Sequence, residues 1–178
     1  MNENIENPAP LRNHRAGFVS IIGKPNVGKS TLMNVLVGEK MSIITSKAQT
    51  TRHRIMGILN GMHEEIPFQL VYSDTPGVLK PAYKLHDSMM TFVKGSLEDA
   101  DVVLFVTEVG EKAKDHEVLP LLSRTQEPVI LVLNKIDLST EEEVNRKIEE
   151  WENEIQPAAV IPISALHNAN IQTLFDAI

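Results

Sequence analysis

Gly23-Lys24-Pro25-Asn26-Val27-Gly28-Lys29-Ser30 follows the apolar run Gly17-Phe18-Val19-Ser20-Ile21-Ile22 and opens into Thr31-Leu32-Met33-Asn34-Val35-Leu36-Val37. The order is strand, glycine loop, helix, which is the context that G-x-x-x-x-G-K-[ST] requires. Gly23 and Gly28 carry no Cβ, so the backbone can turn back and aim successive N–H groups into one concavity. The loop ends at a helix N-terminus, where unpaired N–H groups and the positive end of the dipole add to the attraction for phosphate. Lys29 brings a full positive charge for β- and γ-phosphates, the Ser30 hydroxyl is a hard oxygen suited to Mg²⁺, and Thr31 completes this set. Average composition gives such an octet in roughly one chain in two hundred of this length. A phosphate cradle is therefore the stronger reading, and a plain glycine-rich turn ahead of a helix the weaker one.

With 178 residues and 42% hydrophobic content, the chain matches one globular domain with enough interior to fold unaided. It has no cysteine, which excludes a disulfide framework and thiolate metal sites and suits a reducing, cytoplasmic setting. Apolar runs such as Val102-Val103-Leu104-Phe105-Val106 are much shorter than a membrane span, and Met1 to Arg15 has no hydrophobic signal core, so a soluble protein is expected. A net charge of −7 argues against gripping nucleic acid by a general positive field. Lys47, Arg52, His53 and Arg54 form one local basic cluster, which is read as solvated, with a local RNA contact as the alternative. The carboxylates of 141–154 read as the wet face of an amphipathic helix whose apolar face is Val144, Ile148, Trp151 and Ile155. The six histidines show no metal-like pairing and are read as surface residues.

Residues 1–15 read as a flexible leader, and the fold is expected over 16–178. Strands are expected at 17–22, 55–59, 66–73, 102–107, 128–133 and 158–163, and helices at 29–37, 83–98, 115–125, 140–154 and 170–178. Val129-Ile130-Leu131-Val132-Leu133 is apolar at every position, as strands covered on both faces are. The fold class that follows is α/β, a mostly parallel sheet between two helical layers. Ligands of such sheets bind beyond the carboxyl ends of the strands, so polar motifs should stand just after the apolar runs.

They do. Asp74-Thr75-Pro76-Gly77 follows one strand; its aspartate can hold Mg²⁺ through the metal's water shell, and its glycine lets a backbone N–H approach the γ-phosphate. Taken alone it is an ordinary turn. Asn134-Lys135-Ile136-Asp137 follows another strand. A carboxylate at Asp137 accepts two N–H bonds from the N1 and N2 edge of guanine, whereas adenine leaves the charge unpaired, and a missed bond at a buried polar group is costly. Asn134 would support O6, N7 and the loop itself, and the Lys135 stem would cover the ring face. After the last strand, Ser164-Ala165-Leu166 offers a backbone N–H to guanine O6, a weak signal by itself.

These four motifs, in this order, resemble the G1, G3, G4 and G5 motifs of translation-factor-class GTPases, and Lys47-Ala48-Gln49-Thr50-Thr51-Arg52-His53-Arg54 resembles the G2 region of the Era family of ribosome-assembly GTPases. The resemblance runs from about residue 16 to residue 178. It implies a P-loop G domain, a three-layer sandwich whose six-stranded sheet carries one antiparallel strand. It also implies that Thr51, with Thr50 as the alternate, closes over Mg²⁺ and the γ-phosphate, so that Ser30, Thr51 and Asp74 form the metal set. Loss of the γ-phosphate would then release a switch segment at about 38–54, and a second switch would run from Asp74 to about residue 90. Met89, Val93 and Leu97 behind it read as core packing.

Val78 stands where many small GTPases carry a water-orienting glutamine, so hydrolysis by this domain alone is expected to be slow. Related GTPases with asparagine at the position of Asn26 use it to bind K⁺, which offsets developing charge and would make Asn26 catalytic beside Lys29 and Thr51. Whether His53, His86 or Arg52 assists stays open. Era proteins continue into a KH domain that binds ribosomal RNA of the small subunit. The final helix, with Ile171, Leu174, Phe175 and Ile178 on one face, has no C-cap, so this chain is expected to stop short of that domain. Peripheral membrane association of the full-length family and a monomeric isolated domain are further implications. The expected function is a GTP/GDP switch with slow hydrolysis in small-subunit assembly. The alternatives are a GTP/GDP-gated interaction module with negligible hydrolysis, and a P-loop ATPase or kinase, which Asn134-Lys135-Ile136-Asp137 opposes.

Overall fold

The computed structural model describes residues 14–38, 54–78, 84–114 and 116–178, with the backbone alone over 84–87. Along the chain come β1 (Arg15–Ile22), α1 (Lys29–Val37), β2 (Ile55–His63), β3 (Ile66–Asp74), α2 (Lys84–Glu98), β4 (Val102–Glu108), α3 (Leu119–Leu122) and β5 (Val129–Asn134). A 3-10 turn (Ile136–Leu138), α4 (Glu141–Ile155), β6 (Ala159–Pro162) and α5 (Ile171–Ala177) complete it. The strand order is β2-β3-β1-β4-β5-β6. β1 lies between β3 and β4, parallel to both, and β5 is parallel to β4 and β6. β2 is antiparallel to β3, from Ile55 opposite Asp74 to His63 opposite Ile66.

β4 shows why its sequence is apolar at successive positions. Leu104 and Val106 pack with Leu32, Met33 and Leu174 on the face carrying α1 and α5. Val103 and Phe105 point the other way, to Val93, Val118 and Trp151 from the α2, α3 and α4 side. Both faces are dry, so alternation disappears. Five parallel strands then deliver their carboxyl ends to one edge of the sheet, with the N-terminal end of antiparallel β2 beside them.

Two elements differ from expectation. The helix expected over 115–125 is the four-residue α3, with Pro120 in its first turn. Proline suits a first turn but not an interior, where it lacks the N–H and collides with the preceding turn, so the helix cannot begin as early as residue 115. β2 runs on to His63 and turns into β3 through Glu64 and Glu65, both at positive φ (48° and 66°), the twist that a two-residue hairpin needs. Gly61-Met62-His63 carries little strand propensity, and pairing to β3 extends the strand regardless. α4 starts in a capping box: the Thr140 hydroxyl accepts the Glu143 N–H at 3.3 Å and the Glu143 carboxylate accepts the Thr140 N–H at 2.9 Å. Among the described residues, no helix is long and apolar enough to cross a membrane.

Candidate functional site

The glycine loop leaves β1 at Ile22 and passes through Gly23, Asn26 and Gly28, all at positive φ (150°, 65° and 101°). A Cβ at Gly28 would run into the Asn134 side-chain nitrogen, so only glycine lets the loop lie against β5. Lys29 begins α1 and is 6% exposed, its ammonium donating to the carbonyls of Gly23 (3.1 Å) and Lys24 (2.8 Å). Burial pushes this ammonium down to about 8, against the raising fields of Asp74 and Glu111. A cation held by carbonyl dipoles at the mouth of an amide nest is arranged to receive an anion.

The segment after β3 closes on the same loop. The Val78 N–H donates to the Gly23 carbonyl at 2.9 Å, and a Cβ on Gly77 would lie 2.5 Å from Pro25. The Thr75 hydroxyl donates to the Ile21 carbonyl at 2.8 Å, which leaves its side chain directed at β1. Pro76 lies between these two anchors. The Ser30 hydroxyl donates to Asp74 Oδ2 at 2.6 Å, so two hard oxygens from different elements converge beside the Lys29 ammonium. That donor set fits Mg²⁺. Thr50 and Thr51, together with Lys47, Arg52 and His53, lie outside the described residues, as does the side chain of His86.

Asn134 ties three loops together. Its amide N–H donates to the Val27 carbonyl at 2.8 Å, and its side-chain oxygen accepts the Ala165 N–H at 3.0 Å. Of the Ser164-Ala165-Leu166 backbone, the Ala165 N–H is therefore engaged inside the protein. Lys135, at φ 62°, turns the chain out of β5 and pairs with Glu108 of β4. Beyond it, a hydrogen bond from the Ser164 hydroxyl holds the Asp137 carboxyl below its ordinary range, and His167 Nε2 lies 3.8 Å away. The Ser164 side chain thus adds a contact to the Asp137 carboxyl beyond the backbone N–H that the sequence suggested.

Two readings need correction. Arg54 is not simply solvated: its guanidinium donates to Ser73 Oγ (2.8 Å) and pairs with Asp99 (2.6 Å). His116 is not a surface residue but is 2% exposed, its ring edge-on to Phe105 and Trp151 and its Nε2 3.2 Å from Glu111. A ring with both nitrogens satisfied can be buried. Sequence reasoning also missed Glu111 and Glu117, which hold Lys24. The strand-mouth rule that flagged the ends of β3, β5 and β6 points equally at the residues after β4.

A model of the 50S ribosome-binding GTPase family matches residues 18–135, more than half of the chain. The chain belongs to this GTPase family. The chain is also similar to Era in complex with MgGDPNP and nucleotides 1506–1542 of 16S ribosomal RNA, at 38% identity and TM-score 0.81. A substituted Aquifex aeolicus Era bound to GDP·AlF4− matches it at 40% identity and TM-score 0.81. Both alignments cover 92% of this chain and 56% of the Era chain, so the chain spans little more than half the length of those proteins. Translation elongation factor SelB from Methanococcus maripaludis, with the GTP analogue GPPNHP, matches at 20% identity and TM-score 0.67 over 92% of this chain and 33% of its own, and shares the fold alone.

Proposed function

We propose that this chain is a guanine-nucleotide switch that binds GTP and GDP with Mg²⁺ and hydrolyses GTP slowly. One observation carries the reading: the Asn134 amide joins the loop of Lys29 to the loops of Asp137 and Ala165, which supports their acting together on the two ends of one nucleotide. The backbone N–H groups of 24 and 26–30 and the Lys29 ammonium bind the phosphates, with Pro25, Thr31 and the Gly77 and Val78 backbone beside them. Ser30 and Asp74, joined by Thr51, would hold Mg²⁺, which supplies charge neutralisation at the phosphates. The Asp137 carboxylate, kept ionised by Ser164, accepts the guanine N1 and N2 protons, and the Lys135 stem covers the ring.

The experiment that tests this is calorimetric titration with GTP, GDP, ATP and xanthosine nucleotides in Mg²⁺. The parent chain takes up GTP and GDP and not ATP. Asp137→Asn shifts preference to xanthosine nucleotides, whose base carries an accepting oxygen in place of guanine's donating 2-amino group; no gain for xanthosine sinks the base assignment.

Hydrolysis is the second part. Val78 is 1% exposed and apolar, so it cannot orient an attacking water, which supports a low intrinsic rate. Asn26 at the loop bend is the group for K⁺. Phosphate release is expected to be faster in KCl than in NaCl, and equal rates remove the K⁺ role. Release at background in both salts favours a nucleotide-gated interaction module, the reading that Val78 also supports.

The Era complex with 16S ribosomal RNA supports a role in small-subunit assembly, in which RNA is gripped outside this acidic domain.

A further inference from the structure

Lys24, the second residue of the glycine loop, has its backbone and its charge committed in different directions. Its carbonyl accepts the Lys29 ammonium at 2.8 Å. Its own ammonium lies 2.8 Å from Glu117 Oε2 and 3.8 Å from Glu111 Oε1. Glu111 is fixed from behind, because its other oxygen accepts the Thr107 hydroxyl at 2.8 Å and faces His116 Nε2 at 3.2 Å. His116 Nδ1 accepts the Val118 N–H at 3.2 Å, so the neutral ring carries its proton on Nε2, aimed at Glu111. Phe105 and Trp151 hold that ring in place, with centroids 5.6 Å and 5.2 Å away.

We propose that Lys24 shields bound phosphate from the carboxylates of Glu111 and Glu117, which flank its ammonium beside the phosphate loop. The inference rests on the guanine-nucleotide reading of the site. An anion site with two carboxylates beside it is self-defeating unless they are compensated, and the field of Glu111 does reach Lys29. Lys24 compensates them. None of the three needs to touch the nucleotide through its side chain. The cost of losing Lys24 must then depend on the charge of the ligand, being larger for a triphosphate than for a diphosphate.

Calorimetry with GDP and a non-hydrolysable GTP analogue in Mg²⁺ tests this on the chain as it stands, with emission from its single tryptophan, Trp151, reporting that the pocket around His116 is intact. Lys24→Met is expected to weaken the triphosphate about tenfold and GDP less, and Lys24→Arg to restore binding. The loss should shrink toward about 1 M salt. Adding Glu111→Gln and Glu117→Gln to Lys24→Met should regain most of the loss, a sign that simple damage to the loop cannot produce. Lys24→Met within about twofold of the parent for both nucleotides, or a triple variant as weak as Lys24→Met, overturns the shielding role while leaving the nucleotide reading in place. A parent chain that takes up neither nucleotide overturns both.

Discussion

Asn134 is 2% exposed and contributes little to a surface that any ligand could see, yet its amide is the joint between the loops of Val27 and Ala165. Asn134→Ala leaves a buried carbonyl and a buried N–H without their partner, each costing about 1–3 kcal/mol. Urea unfolding should therefore show a stability loss of about 2–6 kcal/mol. Guanine-nucleotide affinity should fall by more than that of a variant in which only a base contact is lost, because both halves of the site come adrift. A variant with parental stability and weakened binding would make Asn134 a ligand contact and not a joint. Its place was legible from Asn134-Lys135-Ile136-Asp137 at a strand mouth. Its partners were not, since the two bonds span 107 and 31 residues of sequence.

The elements that were legible are those whose sequence repeats one physical signal. β4 from Val102 to Val106 and β5 from Val129 to Leu133 are apolar at every position, and α4 carries Val144 and Trp151 on a buried stripe with Glu141, Glu142 and Glu143 in its first turn. What failed was the region after β4, where Pro120 confines α3 to one turn and the intervening chain is organised by Glu111, His116 and Glu150, the last accepting the Ala113 N–H at 2.8 Å. Such side-chain-to-backbone contacts have no periodicity to read. The start of α4 is a local device, and Thr140→Ala should cost about 1 kcal/mol of stability by chemical denaturation. The Glu143 carboxyl lies below its ordinary 4.5 because it accepts from the Thr140 N–H and then from the Thr140 hydroxyl. A depressed carboxyl stabilises the fold above its unfolded value and loses that contribution as pH falls through its folded value. The melting-temperature gap between the parent and Glu143→Gln should therefore be present at pH 7 and close below pH 4.5. A gap that persists in acid would show that shape, not charge, matters at this cap.

The sheet as a whole is asymmetric. Its β6 edge is short, four residues, whereas β2 offers nine, with β3 on one side and, among the described residues, no strand on the other. Ile58 pairs with Val71, which pairs with Phe18 of β1, so these three side chains form a row across the sheet. Ile58 is 54% exposed, Phe18 42%, and Met56 and Met62 on the same face of β2 are 54% and 59% exposed. Between Ile55 and His63 there is no lysine, proline or acidic residue, the devices that usually keep an edge from pairing with another chain. A lysine on that row adds charge where a second β2 would have to approach, and at a half-exposed position it should change stability by no more than about 0.5 kcal/mol. Ile58→Lys is thus expected to raise the protein concentration at which light scattering begins to climb. Guanine-nucleotide affinity should stay at the parental value, because Ile58 lies several residues along β2 from the strand mouths. Scattering that begins at the parental concentration would mean that association proceeds through another surface, and a fall in affinity would mean that the edge communicates with the loops at the end of β3.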